Sequence, residues 1–479
     1  MMPERFDFAV VGSGAAGSAV AARLFEGGSR VLLVERGQRA RVLPDAAEAV
    51  SRYYAHGGLA ASIGNCLLPI PTGSVLGGTT TINSGTCLRT PREALVRWER
   101  SGSGIFRAGS FETYLDQAWE RLRVRRAPEE TASASSRLFL NGLERLGIPG
   151  GHLLERSESG CVGSGRCCFV CPKGAKLSAD KAFLESLQGR PGFDLALGTS
   201  LEAVRKEPSG VLIRLREPGG KRREVSCKAL VLSCGALASP YFVRRFRLGP
   251  NFRLAGKGLS LHPASKVFAL FAEPLRGWTG VPQGAGLLDP EDSRVRYEGV
   301  FVPPELAALT MPLEGLRLRW WMERYDRAAS FGAMIKDRSR GSLGYPLGPE
   351  FPVPRYDMLR EDFSLMLRGM LFLGRVFFAA GACRVVLPLN RPPNEFSSPE
   401  ELAAADLSRV RPADLQMMAF HPLGTCGMGR VADENLRLCE GVYVCDGSVV
   451  CESLGVNPQI TIYAFALRLG DHLLGRRAP

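Results

Sequence analysis

The loop Gly12-Ser13-Gly14-Ala15-Ala16-Gly17 stands between an apolar run and an alanine-rich one, and this order constrains the fold more tightly than any other stretch. Residues 6–11 (Phe-Asp-Phe-Ala-Val-Val) have the near-continuous apolar character of a strand buried in a parallel sheet. Alanine-rich residues 15–26 suit a helix lying close on that sheet, and residues 30–35 supply a second strand. The unit is long enough for a right-handed βαβ crossover. Gly12 permits the tight turn, Gly14 lets a phosphate approach the backbone, and Gly17 lets helix and strand pack closely. Ala15 opens the helix, whose N-terminus offers free N–H groups and the positive end of its dipole to an anion. Glu35, ending the second strand, is placed to accept ribose hydroxyls and would repel a 2′-phosphate. Strand, loop, helix, strand and acid in this order point to an adenine dinucleotide without separating FAD from NAD.

At 479 residues the chain is too long for one ordinary core and divides into two or three domains. Apolar residues make up 45% and charged residues 23%, the balance of a soluble globular protein. No run approaches the roughly 18 apolar residues of a transmembrane helix. The residues Met1-Met2-Pro3-Glu4-Arg5 lack the basic-then-apolar pattern of a secretory leader. The 13 cysteines are odd in number and scattered, which suits reduced thiols, and the expected location is the cytoplasm. The net charge of +13 comes from dispersed arginines with no nucleic-acid-binding motif beside them. No nucleic-acid partner is expected, whereas loose contact with a membrane surface stays open.

Further along, residues 201–234 alternate strand-like runs with turn signals, and the buried run 229–234 ends at Gly235-Ala236. Residues 264 to about 411 carry longer mixed segments with bulky apolar side chains, and residues 442–446 return to the texture of a parallel strand. The expected fold is α/β. A Rossmann-like cofactor domain with a parallel sheet takes residues 1–262 and 412–479, and an inserted α+β substrate domain on a largely antiparallel sheet takes 263–411.

Several distant segments then combine: Gly77-Gly78-Thr79-Thr80-Thr81-Ile82-Asn83, Gly235-Ala236-Leu237-Ala238-Ser239-Pro240, Leu261-His262-Pro263, His421-Pro422-Leu423-Gly424-Thr425, Asp446-Gly447-Ser448 and Asn457-Pro458-Gln459-Ile460-Thr461. In this order and spacing the chain resembles the glucose–methanol–choline oxidoreductase family over nearly its whole length. Its texture is closest to bacterial long-chain-alcohol and sterol-type members. The resemblance implies FAD, cradled by Gly12, Gly14, Ala15, Gly17 and Glu35, with Gly78, Thr79 and Asn83 on the flavin. It implies further contacts from the Val204 backbone near the adenine and from Asp446, Gly447, Asn457 and Pro458. Some members attach the flavin through a His where this chain has Ile82, so non-covalent FAD is expected.

The implied reaction is oxidation of an alcohol by hydride transfer to the flavin. An alkoxide is the good hydride donor, so a base must take the hydroxyl proton, and His421 is the candidate. Asn457 is the second catalytic candidate, positioning the substrate oxygen, while His262 reads as structural. Oxygen or a redox partner protein would take the electrons. Two other classes remain open: a flavoprotein electron-transfer subunit, and non-alcohol chemistry on the same fold.

Four cysteines crowd into residues 161–171. Cys161, Cys167 and Cys171 are spaced as in the 3Fe-4S segment of some flavin-dependent sugar dehydrogenases of the family, which implies iron–sulfur ligation and a partner cytochrome. The Cys-Cys-Phe-x-Cys-Pro run also resembles long-chain-alcohol members with no assigned cluster; zinc and simple buried thiols are the remaining readings. Phe268, Phe271, Trp320, Trp321, Met366 and Phe372 suggest a lipophilic substrate wall, with core packing as the alternative.

Overall fold

Strand Glu4–Val11 lies inside a sheet and hydrogen-bonds to parallel neighbours on both sides, Arg222–Leu232 and Val31–Glu35. Val442–Val444 extends the sheet beyond the first and Phe193–Leu197 beyond the second, again in parallel. The computed structural model describes residues 3–100 and 109–476. Met1 and Met2, on which the reading of the N-terminus partly rests, lie outside them, as do the outer limits 1 and 479 of the expected cofactor domain. A hairpin, Ser200–Glu207 and Gly210–Arg216, adds antiparallel pairing to the lower part of Arg222–Leu232, as the turn signals there suggest.

Helix Ala15–Glu26 starts after Gly14 and packs against the C-terminal helix Gln459–Leu473. A forked ion pair joins them: Arg23 Nε donates to Asp471 Oδ1 over 2.8 Å and Nη2 to Oδ2 over 2.7 Å. Residues 448 positions apart thereby share one layer, so the cofactor unit is built from both ends of the chain.

A second sheet is antiparallel throughout, in the order Glu395–Phe396, Arg384–Val386, Pro263–Leu270, Ala328–Ile335, Val295–Gly299, Ala285–Leu288, His152–Leu153. Helix Arg360–Ala379 covers one face and buries Met366, Met370, Leu373 and Phe377. Mixed α/β architecture, with a parallel-cored sheet and an antiparallel one, is therefore as expected.

The expected boundaries need correction. Helix Ala134–Arg145 and strand His152–Leu153 fall within 1–262, yet both belong to the antiparallel unit. The apolar face of that helix finds its cover there, with Phe139 stacked on Phe331 at 3.8 Å between ring centroids. Strand Met418–Ala419, expected in the cofactor domain, pairs with Pro263 and Ala264.

The aromatic substrate wall is also corrected. Phe268, Trp321 and Met366 are wholly buried in cores, and Phe271 packs in the same core as Met366. Phe372 stacks on Tyr297, and Trp320 lies beneath the guanidinium groups of Arg324 and Arg384. Among the described residues no helix is long and apolar enough to cross a membrane.

Candidate active site

A cleft of about 900 Å³ has walls from both sheets, running from Glu35, Thr199 and Glu202 to Glu298, His421 and Asn457. Its floor at the first end is the glycine loop. Gly12 has φ +101°, and a Cβ there would stand 2.2 Å from the Ser233 carbonyl oxygen. A Cβ on Gly17 would stand 1.8 Å from the Gly12 oxygen, so Gly17 serves the packing of helix on loop. Gly14 differs: a Cβ there would meet nothing within 4 Å, because that side of the residue opens on the cleft. Ala15 lines the cleft beside it.

Glu35 is buried and holds the loop's shape. Its Oε2 accepts from the Ser13 N–H at 2.9 Å and the Ser13 hydroxyl at 2.7 Å, and Oε1 accepts from the Gly37 N–H at 2.7 Å. It still lines the cleft, with lone pairs left for a ribose.

The Gly77–Asn83 segment closes down on this loop. Gly77 N–H donates to Ser13 Oγ over 3.0 Å, and Gly78, at φ +56°, comes so close that a Cβ would lie 2.8 Å from Gly14 Cα. Gly78, Thr79 and Asn83 all line the cleft, as does the buried Ile82. Asn83 Oδ1 accepts from Gly85 N–H and its Nδ2 donates to Gln459 Oε1 over 3.1 Å, tying the segment to the C-terminal helix. Lys176 fastens it from behind: its Nζ donates to the carbonyls of Thr81, Asn83 and Cys167 at 2.7–2.8 Å. An extended dinucleotide fits this cradle, since its tightest point is built from residues without side chains.

At the other end three chain segments meet. Gly455 N–H donates to His262 Nε2 over 2.9 Å, and the His262 ring meets the His421 ring edge-on with centroids 5.2 Å apart. Asn457, two residues after Gly455, donates from Nδ2 to Glu298 Oε2 over 3.3 Å. Gln283 also donates to Glu298, and itself accepts from Ser84 and Thr86. Among the described residues, His421 Nδ1, Asn457 Oδ1 and Glu298 Oε1 are buried without a hydrogen-bond partner.

Burial, and secondarily His262, hold the His421 imidazole well below its ordinary range, so it is neutral at pH 7. Burial alone would favour the same for His262, which is pushed down to about 3, with Lys336 and Arg340 adding to the effect. Burial raises the Glu298 carboxyl against the opposing influence of Arg296 and Asn457.

Asp446 and Gly447 line the cleft, but the Asp446 carboxylate is engaged by the protein. Oδ1 accepts from Ser448 N–H at 2.8 Å, and Oδ2 accepts from Gly235 N–H at 2.9 Å and Ser239 Oγ at 2.5 Å. The acid thus welds two cleft-lining turns together, and Pro458 lines the cleft at the start of the C-terminal helix.

Two groups of expected residues are placed elsewhere. Val204 lies in strand Ser200–Glu207 opposite Ile213, off the cleft, whose wall there is Thr199 to Glu202. The strand's direction carries Val204 away along the hairpin. The cysteines Cys161, Cys167 and Cys171 do not converge: among the described residues no three His, Cys, Asp or Glu side chains form a metal-holding group. Instead the buried Arg156 donates from Nη2 to Cys167 Sγ over 3.2 Å, Cys171 lines a separate hollow with Lys173, and Cys168 lines the main cleft. The positive φ of Val170, +68°, turns the chain between Cys168 and Cys171. All 13 cysteines are free.

Glu298, Gln283 and Lys266 line the cleft without having been expected. Their one sequence signal is a polar residue in an otherwise apolar strand or beside one, which becomes informative only when pairing shows which face is covered.

Residues 50–264 match the model of the N-terminal part of GMC oxidoreductase, and residues 338–466 that of the C-terminal part. An uncharacterized GMC-type oxidoreductase of Mycobacterium tuberculosis is 32% identical, the match covering 98% of this chain and 76% of that protein. A long-chain-alcohol oxidase of Arabidopsis thaliana is 25% identical, with 96% of this chain and 66% of the other covered. Among solved structures, formate oxidase aligns with a TM-score of 0.72 at 15% identity, covering 99% of this chain and 98% of that one. Pyridoxine 4-oxidase from Mesorbium loti aligns at 0.68 and 18%, covering 97% and 98%. At such identities the two structures bear on the fold alone.

Proposed function

This chain belongs to the GMC oxidoreductase family, and on that premise we propose that it is an FAD-dependent enzyme oxidising a lipophilic alcohol to an aldehyde or ketone, with dioxygen as the electron acceptor. The observation that carries the reading is the set of unpartnered polar atoms on His421, Asn457 and Glu298 at one end of the cleft. Two of them, Asn457 Oδ1 and Glu298 Oε1, are acceptors in want of a donor, and a hydroxyl group supplies one.

The glycine loop, Gly78, Thr79, Asn83, Gly447 and Pro458 would hold FAD, without a covalent bond since Ile82 offers no ligating atom. When bound, the flavin supplies the hydride acceptor. His421, neutral for the reasons given above, receives the hydroxyl proton. Asn457 fixes the oxygen, and Glu298 holds the Asn457 amide in place. Val300, Phe301, Val302, Leu306 and Met334 supply an apolar wall that excludes water and favours an apolar chain. The likeness to long-chain-alcohol oxidases supports both the lipophilic substrate and oxygen.

The test is anaerobic titration of the holoprotein with linear, aromatic and polycyclic alcohols while following the flavin absorbance. At least one class should bleach it, and His421→Ala should slow bleaching by about 10²–10⁴-fold. Readmitted air should restore the absorbance and release hydrogen peroxide. No bleaching by any alcohol, with the variant indistinguishable, would overturn the reading.

A further inference from the structure

Lys266 lines the cleft from strand Pro263–Leu270 and has no part in the reaction outlined above. Among the described residues no ion pair or hydrogen bond engages its ammonium, which lies 5.4 Å from the centroid of the buried Phe268 ring. Burial alone pushes the group down to about 8, with no neighbouring charge contributing, so it remains mostly cationic at pH 7.

Strand register defines its surroundings. Lys266 pairs with Gly332, and Gly332 pairs with Glu298 on the next strand. Directly paired residues project from the same face of a sheet, so Lys266 and Glu298 flank the gap over Gly332, which Val300 narrows: a Cβ on Gly332 would stand 3.2 Å from Val300 Cγ1. Their backbones are two strand spacings apart, roughly 10 Å. Glu298 is held by Asn457 and Gln283, and its carboxyl responds to Arg296 and Asn457. It is therefore not the counter-ion of Lys266. The reacting end of the cleft has the acid and Asn457, and the lysine stands across the gap beside an apolar wall that includes Phe301 and Leu306.

An ammonium set in an apolar wall without a counter-ion is destabilising unless a ligand brings one. We propose that Lys266 selects an alcohol that bears a carboxylate remote from its reacting hydroxyl, the two joined by an apolar chain: a hydroxy acid. A single compact charge matches a monoanion, whereas a phosphate draws on several charged donors or a guanidinium fork. This inference rests on the alcohol-oxidising reading of the same cleft.

The test compares dodecanoate with dodecanol for binding to the holoprotein by calorimetry, and ω-hydroxydodecanoate with dodecanol for flavin reduction. Wild type should favour the acid in both by about tenfold or more, the low end of the coupling measured for close charge pairs. Lys266→Met, which removes a buried charge at similar volume and should fold, is expected to erase the margin, and Lys266→Arg to retain part of it. Equal affinities in wild type, or a margin that survives Lys266→Met, would overturn the proposal. Lys266-dependent binding of dodecanoate with no flavin reduction by any alcohol would uphold the anion site and sink the alcohol chemistry instead.

Discussion

Asn457 Nδ2 donates to Glu298 Oε2 over 3.3 Å, and that contact fixes which end of the amide is left for a substrate. While Glu298 is ionised its carboxylate only accepts, so the amide nitrogen is held toward it and Oδ1 is left unpartnered. Two buried side chains, one on strand Val295–Gly299 and one in the turn before the C-terminal helix, thereby act as one unit.

Breaking that unit should slow the reaction more than it weakens binding. Glu298→Leu leaves the Asn457 amide free to rotate, and kcat is expected to fall by about tenfold or more with a smaller change in KM. Glu298→Gln still accepts from the amide and should recover most of the rate. Steady-state kinetics on the two variants, with thermal unfolding as a folding control, check this; equal losses in both would assign the effect to charge instead of positioning.

The pH dependence follows from His421. Its imidazole is held well below the ordinary value, so the proton-accepting form persists as pH falls. The rate of flavin reduction should therefore stay level from pH 8 down through about 6.5, the unperturbed imidazole value, and decline only in more acid solution. A decline centred near 6.5 in stopped-flow measurements would contradict the burial-driven shift.

His262 should reveal itself in stability. It is depressed to about 3 in the folded protein, against about 6.5 unfolded, so between these values the unfolded chain binds the extra proton. Its contribution is fully present above about pH 6.5 and is lost as pH falls through that window, by up to about 1.4 kcal/mol per pH unit. Replacing it by Leu removes this term and also the acceptor for Gly455 N–H. Denaturant unfolding should show His262→Leu less stable at pH 7 by about 1–3 kcal/mol, with a shallower further loss between pH 6 and 4.

Gly14 and Gly17 should part company on mutation to Ala. At Gly14 the methyl enters open space, so the apoprotein should unfold at its usual temperature while flavin retention drops. At Gly17 the methyl strikes the Gly12 carbonyl at 1.8 Å, so folding itself should fail or weaken by several kcal/mol. Flavin-to-protein absorbance ratios and apoprotein melting temperatures separate the two.

Much of this molecule could be read from its residues because the signals are local. The βαβ unit around Gly12–Gly17, the strand before Gly235 and the return of parallel-strand texture at Val442 follow from apolar runs and glycines, and the sheet order agrees with them. The segments that mark the cofactor and His421 are likewise short and self-contained. What escaped depended on long-range pairing. Phe268 and Trp321 look like a substrate wall in a sequence, yet only the stacking of helices and sheets shows that they face cores. Lys266 and Glu298 look like stray charges until the register through Gly332 puts them on one face. Cys161, Cys167 and Cys171 are close in sequence, but Arg156 engages Cys167 and the turn at Val170 leads to Cys171 in a separate hollow. A sequence fixes what each short segment prefers, because propensity and glycine geometry act within a few residues. Which side chains share a cleft is settled by burial and strand register, which join residues hundreds of positions apart and leave no mark in any one segment.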